Sequence, residues 1–207
     1  MKSLTKLAVR LLIVMCLPLY ISSCNVTLVQ PYDAELYKNT ENFYKKASTV
    51  IARGMSVSPK TSNEVRSISD ATKEQHPGHY KQFKRDYDAL LVENNALILR
   101  SLANSDQIDK MGKKLQAKIE AAIEKKLPGD CDSLQSSFVG VSLTTRNFID
   151  LKCVIGRWND VHQGKGSNND STYGKQILKQ ANWEGRSKTL FDAILAIQKA
   201  EATKKDE

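Results

Sequence analysis

Histidines are the side chains of this sequence best suited to chemistry at neutral pH, and two of them lie close together. His76 and His79 enclose a Pro-Gly pair, and Glu74 precedes them, so three donors could meet at one metal ion. This spacing matches no established metal motif, and a Pro-Gly pair is typical of a turn. We therefore predict an exposed polar loop here rather than a metal site.

The remaining candidate residues for chemistry are few. His162 ends a predicted helix, where an imidazolium would interact favourably with the helix dipole. Gly164-Lys165-Gly166-Ser167 is glycine-rich, but it lacks the spacing and the preceding strand of a phosphate loop. No Gly-x-Ser-x-Gly, His-Glu-x-x-His or Cys-x-x-Cys-His motif occurs in the sequence. The sequence therefore predicts a non-enzymatic protein without a cofactor.

The first twenty residues have the features of an export signal. Lys2, Lys6 and Arg10 precede the apolar stretch 11–20. That stretch is too short to span a bilayer, which requires about 20 residues. A basic start, a short apolar run and then small residues are typical of a secretory signal peptide.

Ile21, Ser22, Ser23 and Cys24 follow this signal and resemble the lipobox of bacterial lipoproteins. The resemblance implies cleavage before Cys24 and attachment of a lipid to its thiol, so that the mature chain associates with a membrane. In a Gram-negative cell, the next residue, Asn25, implies an outer-membrane lipoprotein that faces the periplasm. The alternative is an ordinary signal peptide with an incidental cysteine.

The mature chain also loosely resembles small uncharacterised helical envelope lipoproteins of Gram-negative bacteria. The similar segments are Pro31-Tyr32-Asp33, soon after the lipid cysteine, and Phe191-Asp192-Ala193-Ile194-Leu195, followed by Lys204-Lys205. This resemblance implies no activity that could be assigned to particular residues.

Net charge restricts the partners. The 207 residues include 31 basic and 23 acidic side chains, or +8, and removal of Lys2, Lys6 and Arg10 leaves 28 basic residues, or +5. Lysine alternates with glutamate along the predicted helices, as on solvated faces. Because an exported lipoprotein rarely meets nucleic acid, an envelope protein or an anionic envelope polymer is the expected partner.

Apolar residues recur at spacings of three and four, which predicts an all-α fold, an antiparallel bundle of four long helices plus one short helix. We assign residues 1–23 to the signal, 24–32 to the lipidated cysteine and tether, 33–200 to the bundle and 201–207 to a charged tail. Residues marking the helical stripes are Leu36, Phe43, Ala47, Val50, Tyr80, Phe83, Tyr87, Leu90, Leu97, Ile108, Met111, Leu115, Phe148, Leu151, Ile155, Trp158, Leu190, Ile194 and Ile197.

Several finer expectations concern the connections and single residues. Residues 54–76 should form a long loop with at most a stray helical turn, and the last helix should run from about 171 to 200. Asn94 lies within an apolar stripe, which indicates a buried polar group that sets helix register. Trp183 lies off the apolar face of its helix, and two interpretations stay open: a core residue like the other aromatics, or a half-exposed residue that marks a contact surface.

Cys131 and Cys153 would form a disulfide in an oxidising compartment. On one straight helix their Cα atoms would be about 33 Å apart, whereas a disulfide requires roughly 4.4–6.8 Å. A turn at 140–142, with Ser142 or Thr144 capping the next helix, would bring the two cysteines together. We therefore predict helices at 132–138 and 144–162 joined by a disulfide; the alternative is two free buried cysteines on one straight helix.

These features together predict a lipid-anchored, periplasm-facing helical protein that binds or scaffolds another component of the cell envelope. The alternative is a bundle that binds a small molecule or metal between its helices, near Asn94 or Met111.

Mass spectrometry of the unreduced protein tests the disulfide. After digestion, two peptides linked through Cys131 and Cys153 are expected, and reduction should separate them into two peptides whose summed mass is higher by two hydrogens. Free thiols at both positions would contradict the bridge and the hairpin that it requires.

Overall fold

The computed structural model describes residues 32–103, 142–165 and 173–205. These residues form five α-helices and no β-strand, which confirms the all-α prediction. The helices are α1 (Ala34–Val57), α2 (Ser62–Ser67), α3 (Tyr80–Ala103), α4 (Leu143–His162) and α5 (Gln180–Ala202). The stripe residues Ile108, Met111 and Leu115 and the predicted helix at 132–138 lie outside the described residues. None of the described helices is long and apolar enough to cross a membrane.

The four long helices form a ring in which each helix runs antiparallel to both of its neighbours. The start of α1 meets the end of α3 where Arg100 Nε donates to Asp33 Oδ2 over 2.7 Å. Further along, Lys46 Nζ of α1 lies 2.6 Å from Glu93 Oε2 of α3. α3 packs on α4, α4 on α5, and α5 returns to α1. The described part of the chain is therefore an up-and-down bundle, as predicted.

Local side-chain bonds determine where two of the helices begin. Asp33 Oδ1 accepts from the backbone N–H groups of Glu35 and Leu36, both over 3.0 Å, and so caps α1. Ser142 Oγ accepts from the Thr145 N–H over 3.2 Å at the start of α4. Each oxygen satisfies N–H groups that have no partner within the first helical turn. The predicted cap at Ser142 is thus confirmed.

Asn94 is fully buried between α3 and α4, as its place in the apolar stripe predicts. Its Nδ2 donates to the carbonyl of Phe148 over 2.9 Å. Because a buried amide without a partner is costly, this bond favours one register of α3 against α4.

The connections differ from the predicted ones in two places. Residues 54–76 are not one loop: α1 continues to Val57, and Thr61 caps the six-residue α2, whose Val65 is fully buried. The last helix begins at Gln180 rather than near 171. Gln176 has a φ of 55°, in the left-handed region, and this conformation interrupts the helix.

Trp183 is 1% exposed, so it is a core residue, and the interpretation as a half-exposed contact residue is wrong. The reason is Gly54 of α1, whose missing side chain leaves room for the indole ring. A Cβ at Gly54 would lie 2.3 Å from Trp183 Cε2, well inside van der Waals contact. The indole Nε1 donates to Ser58 Oγ over 2.8 Å, which fixes the ring at the end of α1.

Replacing Gly54 with alanine should destabilise the protein by roughly 1–3 kcal/mol, because Trp183 must move and its bond to Ser58 is strained. Gly185→Ala on α5 is the matched control, since nothing lies within 4 Å of a Cβ there. The control should be neutral or stabilise by up to about 1 kcal/mol. Urea unfolding of both variants measures the difference, and equal stabilities would contradict the packing described here.

Candidate functional site

A chain of hydrogen bonds crosses the buried end of the bundle where α1 ends and α5 begins. His162 Nε2 lies 3.1 Å from the carbonyl of Gly78, and Nδ1 lies 2.9 Å from Tyr87 Oη. Because a carbonyl only accepts, we assign the imidazole proton to Nε2, and Nδ1 accepts from the Tyr87 hydroxyl. The guanidinium of Arg186 donates in turn to Tyr87 Oη. We call this series of hydrogen-bonded groups, from Arg186 through Tyr87 and His162 to Gly78, the polar chain.

Aromatic rings surround His162 on several sides. Its ring centroid lies 5.4 Å from that of Phe83 and 5.5 Å from that of Trp183. The guanidinium carbon of Arg186 lies 4.8 Å from the Trp183 centroid, which is cation–π geometry. Arg186 also donates to the Trp158 carbonyl over 2.8 Å. The polar chain is therefore enclosed by apolar rings as well as bonded along its length.

This enclosure moves two pKa values away from neutrality. Burial, with a further contribution from the positive charge of Arg186, lowers the pKa of His162 to about 3. Burial raises the pKa of Tyr87 to about 12, although Arg186 opposes the shift. His162 is thus neutral at pH 7, so the predicted imidazolium at the helix end is wrong: the side chain lies in the core, where a charge is disfavoured. Neither group is poised for proton transfer near neutral pH.

The Glu74, His76 and His79 segment does not assemble a metal site. His76 Nδ1 accepts from the Gly78 N–H over 3.0 Å, and Glu74 Oε2 lies 3.2 Å from Lys81 Nζ. No group of three metal-binding side chains occurs within residues 32–103, 142–165 and 173–205. The expectation of an exposed loop is wrong for His79, which is buried. Its backbone forms an antiparallel bridge with that of Ile177, and this holds the segment against the residues before α5.

The opposite end of the bundle, where α1 begins and α5 ends, holds a second buried polar group. Thr144 Oγ1 donates to Glu201 Oε1 over 2.6 Å and accepts from Lys204 Nζ over 2.7 Å. Lys204 also pairs with Glu201. These contacts join the start of α4 to the end of α5. Their shielded position indicates a structural role.

A surface groove between α1 and α5 is the candidate binding site. Phe191 is 53% exposed and Leu195 is 37% exposed, one turn apart on α5. They border a cavity of about 300 Å³, a size at the lower end of small ligand sites. The residues lining this α1–α5 groove are Glu41, Tyr44, Lys45, Phe191, Ile194, Leu195 and Gln198.

Sequence reasoning did not identify this groove or the polar chain as sites. Phe191 and Leu195 do follow a four-residue spacing beside the buried Ile194, and that signal was available in the sequence. By contrast, the contact of Gly54 with Trp183 joins residues 129 positions apart, and helical periodicity carries no information on it.

The predicted lipid and disulfide residues are only partly described. Ile21, Ser22, Ser23, Cys24 and Cys131 lie outside the described residues, as does Met111. Cys153 lies on α4 and is partly buried. The lipid attachment and the disulfide remain predictions. No protein-family model, no curated protein and no solved structure matches this chain.

The low pKa of His162 predicts a loss of stability in acid. Its folded value of about 3 lies below the ordinary 6.5, so the unfolded chain binds a proton that the folded chain excludes. This contribution to stability is complete above pH 6.5 and falls as the pH drops toward 3. Between pH 7 and pH 4 the loss should be about 3 kcal/mol.

Urea unfolding at both pH values measures the loss, with His162→Gln as the comparison. The variant lacks the titrating group, so its stability should depend less on pH even though it is less stable at pH 7. An identical pH dependence in both proteins would contradict the neutral, buried state of His162. A His162 imidazole that titrates near 6.5 by NMR would contradict it as well.

Proposed function

We propose that this protein is a non-enzymatic, lipid-anchored bundle of the cell envelope that binds a protein partner through the α1–α5 groove. The observation that carries the proposal is the pair Phe191 and Leu195, exposed one turn apart on α5 at the border of the groove. Aromatic residues that border a concavity are typical centres of protein interfaces. The sequence expectation of a contact surface therefore moves from Trp183 to this groove.

The anchor in this proposal is the lipid on Cys24, supported by the lipobox resemblance of residues 21–24. Burial of acyl chains contributes roughly 0.8 kcal/mol for each CH₂ group, so more than one chain gives durable attachment. The partner would then be met at a membrane surface, which restricts both proteins to a thin layer and raises their effective concentration.

A protein partner suits the groove better than an anionic polymer. Its centre is apolar, and its two charged residues, Glu41 and Lys45, have opposite signs. A polyanion would bind a cluster of one sign instead. The alternative of a ligand between the helices receives less support, because the described side chains around Asn94 are buried in one core cluster and the Asn94 Nδ2 donates to the Phe148 carbonyl, which leaves only its Oδ1 without a partner in the part of the chain that the structure describes.

Photo-cross-linking in intact cells tests the proposal. A photoreactive amino acid in place of Phe191 should form a defined adduct with an envelope protein, and Leu195→Glu should abolish it. The same amino acid at Val92, which is 70% exposed on α3, is the matched control and should form no such adduct.

Cys24→Ser tests the anchor in the same cells, since the variant should leave the membrane fraction. The absence of any protein adduct at Phe191, or the same adducts at Val92, would overturn the proposed binding face.

A further inference from the structure

We propose that the occupant of the α1–α5 groove is a second copy of this chain, bound face to face around a two-fold axis perpendicular to α1. This inference rests on the proposed function, since it needs the groove to be a binding surface. It adds the identity of the partner. Two observations favour a self-complementary contact: the shape of the groove, and the order of its charges.

The face around the groove carries both a projecting side chain and a cavity that could receive it. Phe191 projects from α5 with 53% of its surface exposed, and the cavity of about 300 Å³ lies beside it. An isologous interface requires that one patch be complementary to itself. A two-fold axis through the groove lets the Phe191 ring of each copy enter the cavity of the other. Because Phe191 is 53% exposed, covering the rest of its side chain in this way removes roughly 80–130 Å² from water.

The charges of the groove are arranged for the same symmetry. Glu41 and Lys45 are one turn apart on α1, in the order that favours an ion pair within a helix. Lys84 and Asp88 on α3 have the same spacing and do pair, over 2.7 Å. Among the described residues, the side chains of Glu41 and Lys45 form no ion pair, either with each other or elsewhere.

A two-fold axis perpendicular to α1 gives both Glu41 and Lys45 a partner of opposite charge in the other copy. It runs the two α1 helices antiparallel, so Glu41 of each copy faces Lys45 of the other. Two ion pairs then flank the two inserted Phe191 rings. Charged pairs at the rim of an interface select partner and register more than they add affinity. A parallel arrangement would instead place like charges opposite each other.

Sedimentation velocity on the full chain, purified from membranes in detergent, tests the second copy. Over a concentration series the wild-type protein should reach twice the mass of one chain. Phe191→Glu should remain a monomer, whereas Val92→Glu, on a face outside the groove, should dimerise as the wild type does. Circular dichroism checks that every variant keeps its helix content.

A charge exchange separates self-association from other binding. Lys45→Glu should raise the dimer dissociation constant about tenfold, because Glu41 of one copy then faces a glutamate of the other. The double variant Glu41→Lys with Lys45→Glu should restore the wild-type constant, since the exchanged charges again face opposite signs in a two-fold dimer. A partner of different sequence would not be restored in this way.

The outcomes are decisive for both proposals. A monomer at every concentration, a dimer unaffected by Phe191→Glu, or a charge exchange that fails to restore dimerisation would overturn the second copy as occupant. If the protein is a monomer but the cross-linker at position 191 captures a different envelope protein, the proposed function stands and this inference fails. If neither self-association nor an adduct is found, both fail.

Discussion

The packing of Trp183 against Gly54 is the contact on which the arrangement of the bundle depends. The indole fills space that any side chain at position 54 would occupy. Its ring then contacts Phe83 of α3 and His162 of α4, at centroid distances of 5.0 and 5.5 Å. All four long helices therefore contribute to one cluster. Because interiors are packed as densely as organic crystals, a change at this point is transmitted to each helix.

The polar chain restricts how far the packed helices can rotate against each other. Dispersion contacts alone tolerate small rotations of a helix, whereas hydrogen bonds in a low-dielectric interior do not. Tyr87 and His162 join α3 to α4, and Arg186 brings α5 into the same network. At the other end, Asp33 with Arg100 and Thr144 with Glu201 have the same effect. With both ends defined, the groove between α1 and α5 keeps a fixed shape, which would lower the entropy lost on binding the partner proposed for it.

Helical periodicity predicted much of the fold from the sequence. The stripes of α1 and α3, the cap at Ser142 and the burial of Asn94 depend on residues a few positions apart. The burial of Trp183 and the neutral state of His162 depend on contacts between distant segments, which no local pattern contains. The late start of α5 depends on the backbone of Gln176, a residue type without a strong turn preference.

The same distinction explains why the groove was missed. Its residues come from α1 and α5, and the sequence shows each as an ordinary exposed side chain on a helix. Only the packing of α5 against α1 places Phe191 and Leu195 beside Tyr44. Single exposed apolar residues need no explanation, but neighbours bordering one concavity do.

Hydroxyl-radical footprinting of side chains tests the account most directly, in intact envelopes and in dilute purified protein. Trp183 should resist oxidation in both, because its ring is buried. Phe191 and Leu195 should be oxidised in the dilute protein and protected in the envelope, while Val92 is oxidised equally in both. Equal oxidation of Phe191 in the two samples would contradict the binding face, and ready oxidation of Trp183 would contradict the cluster that supports it.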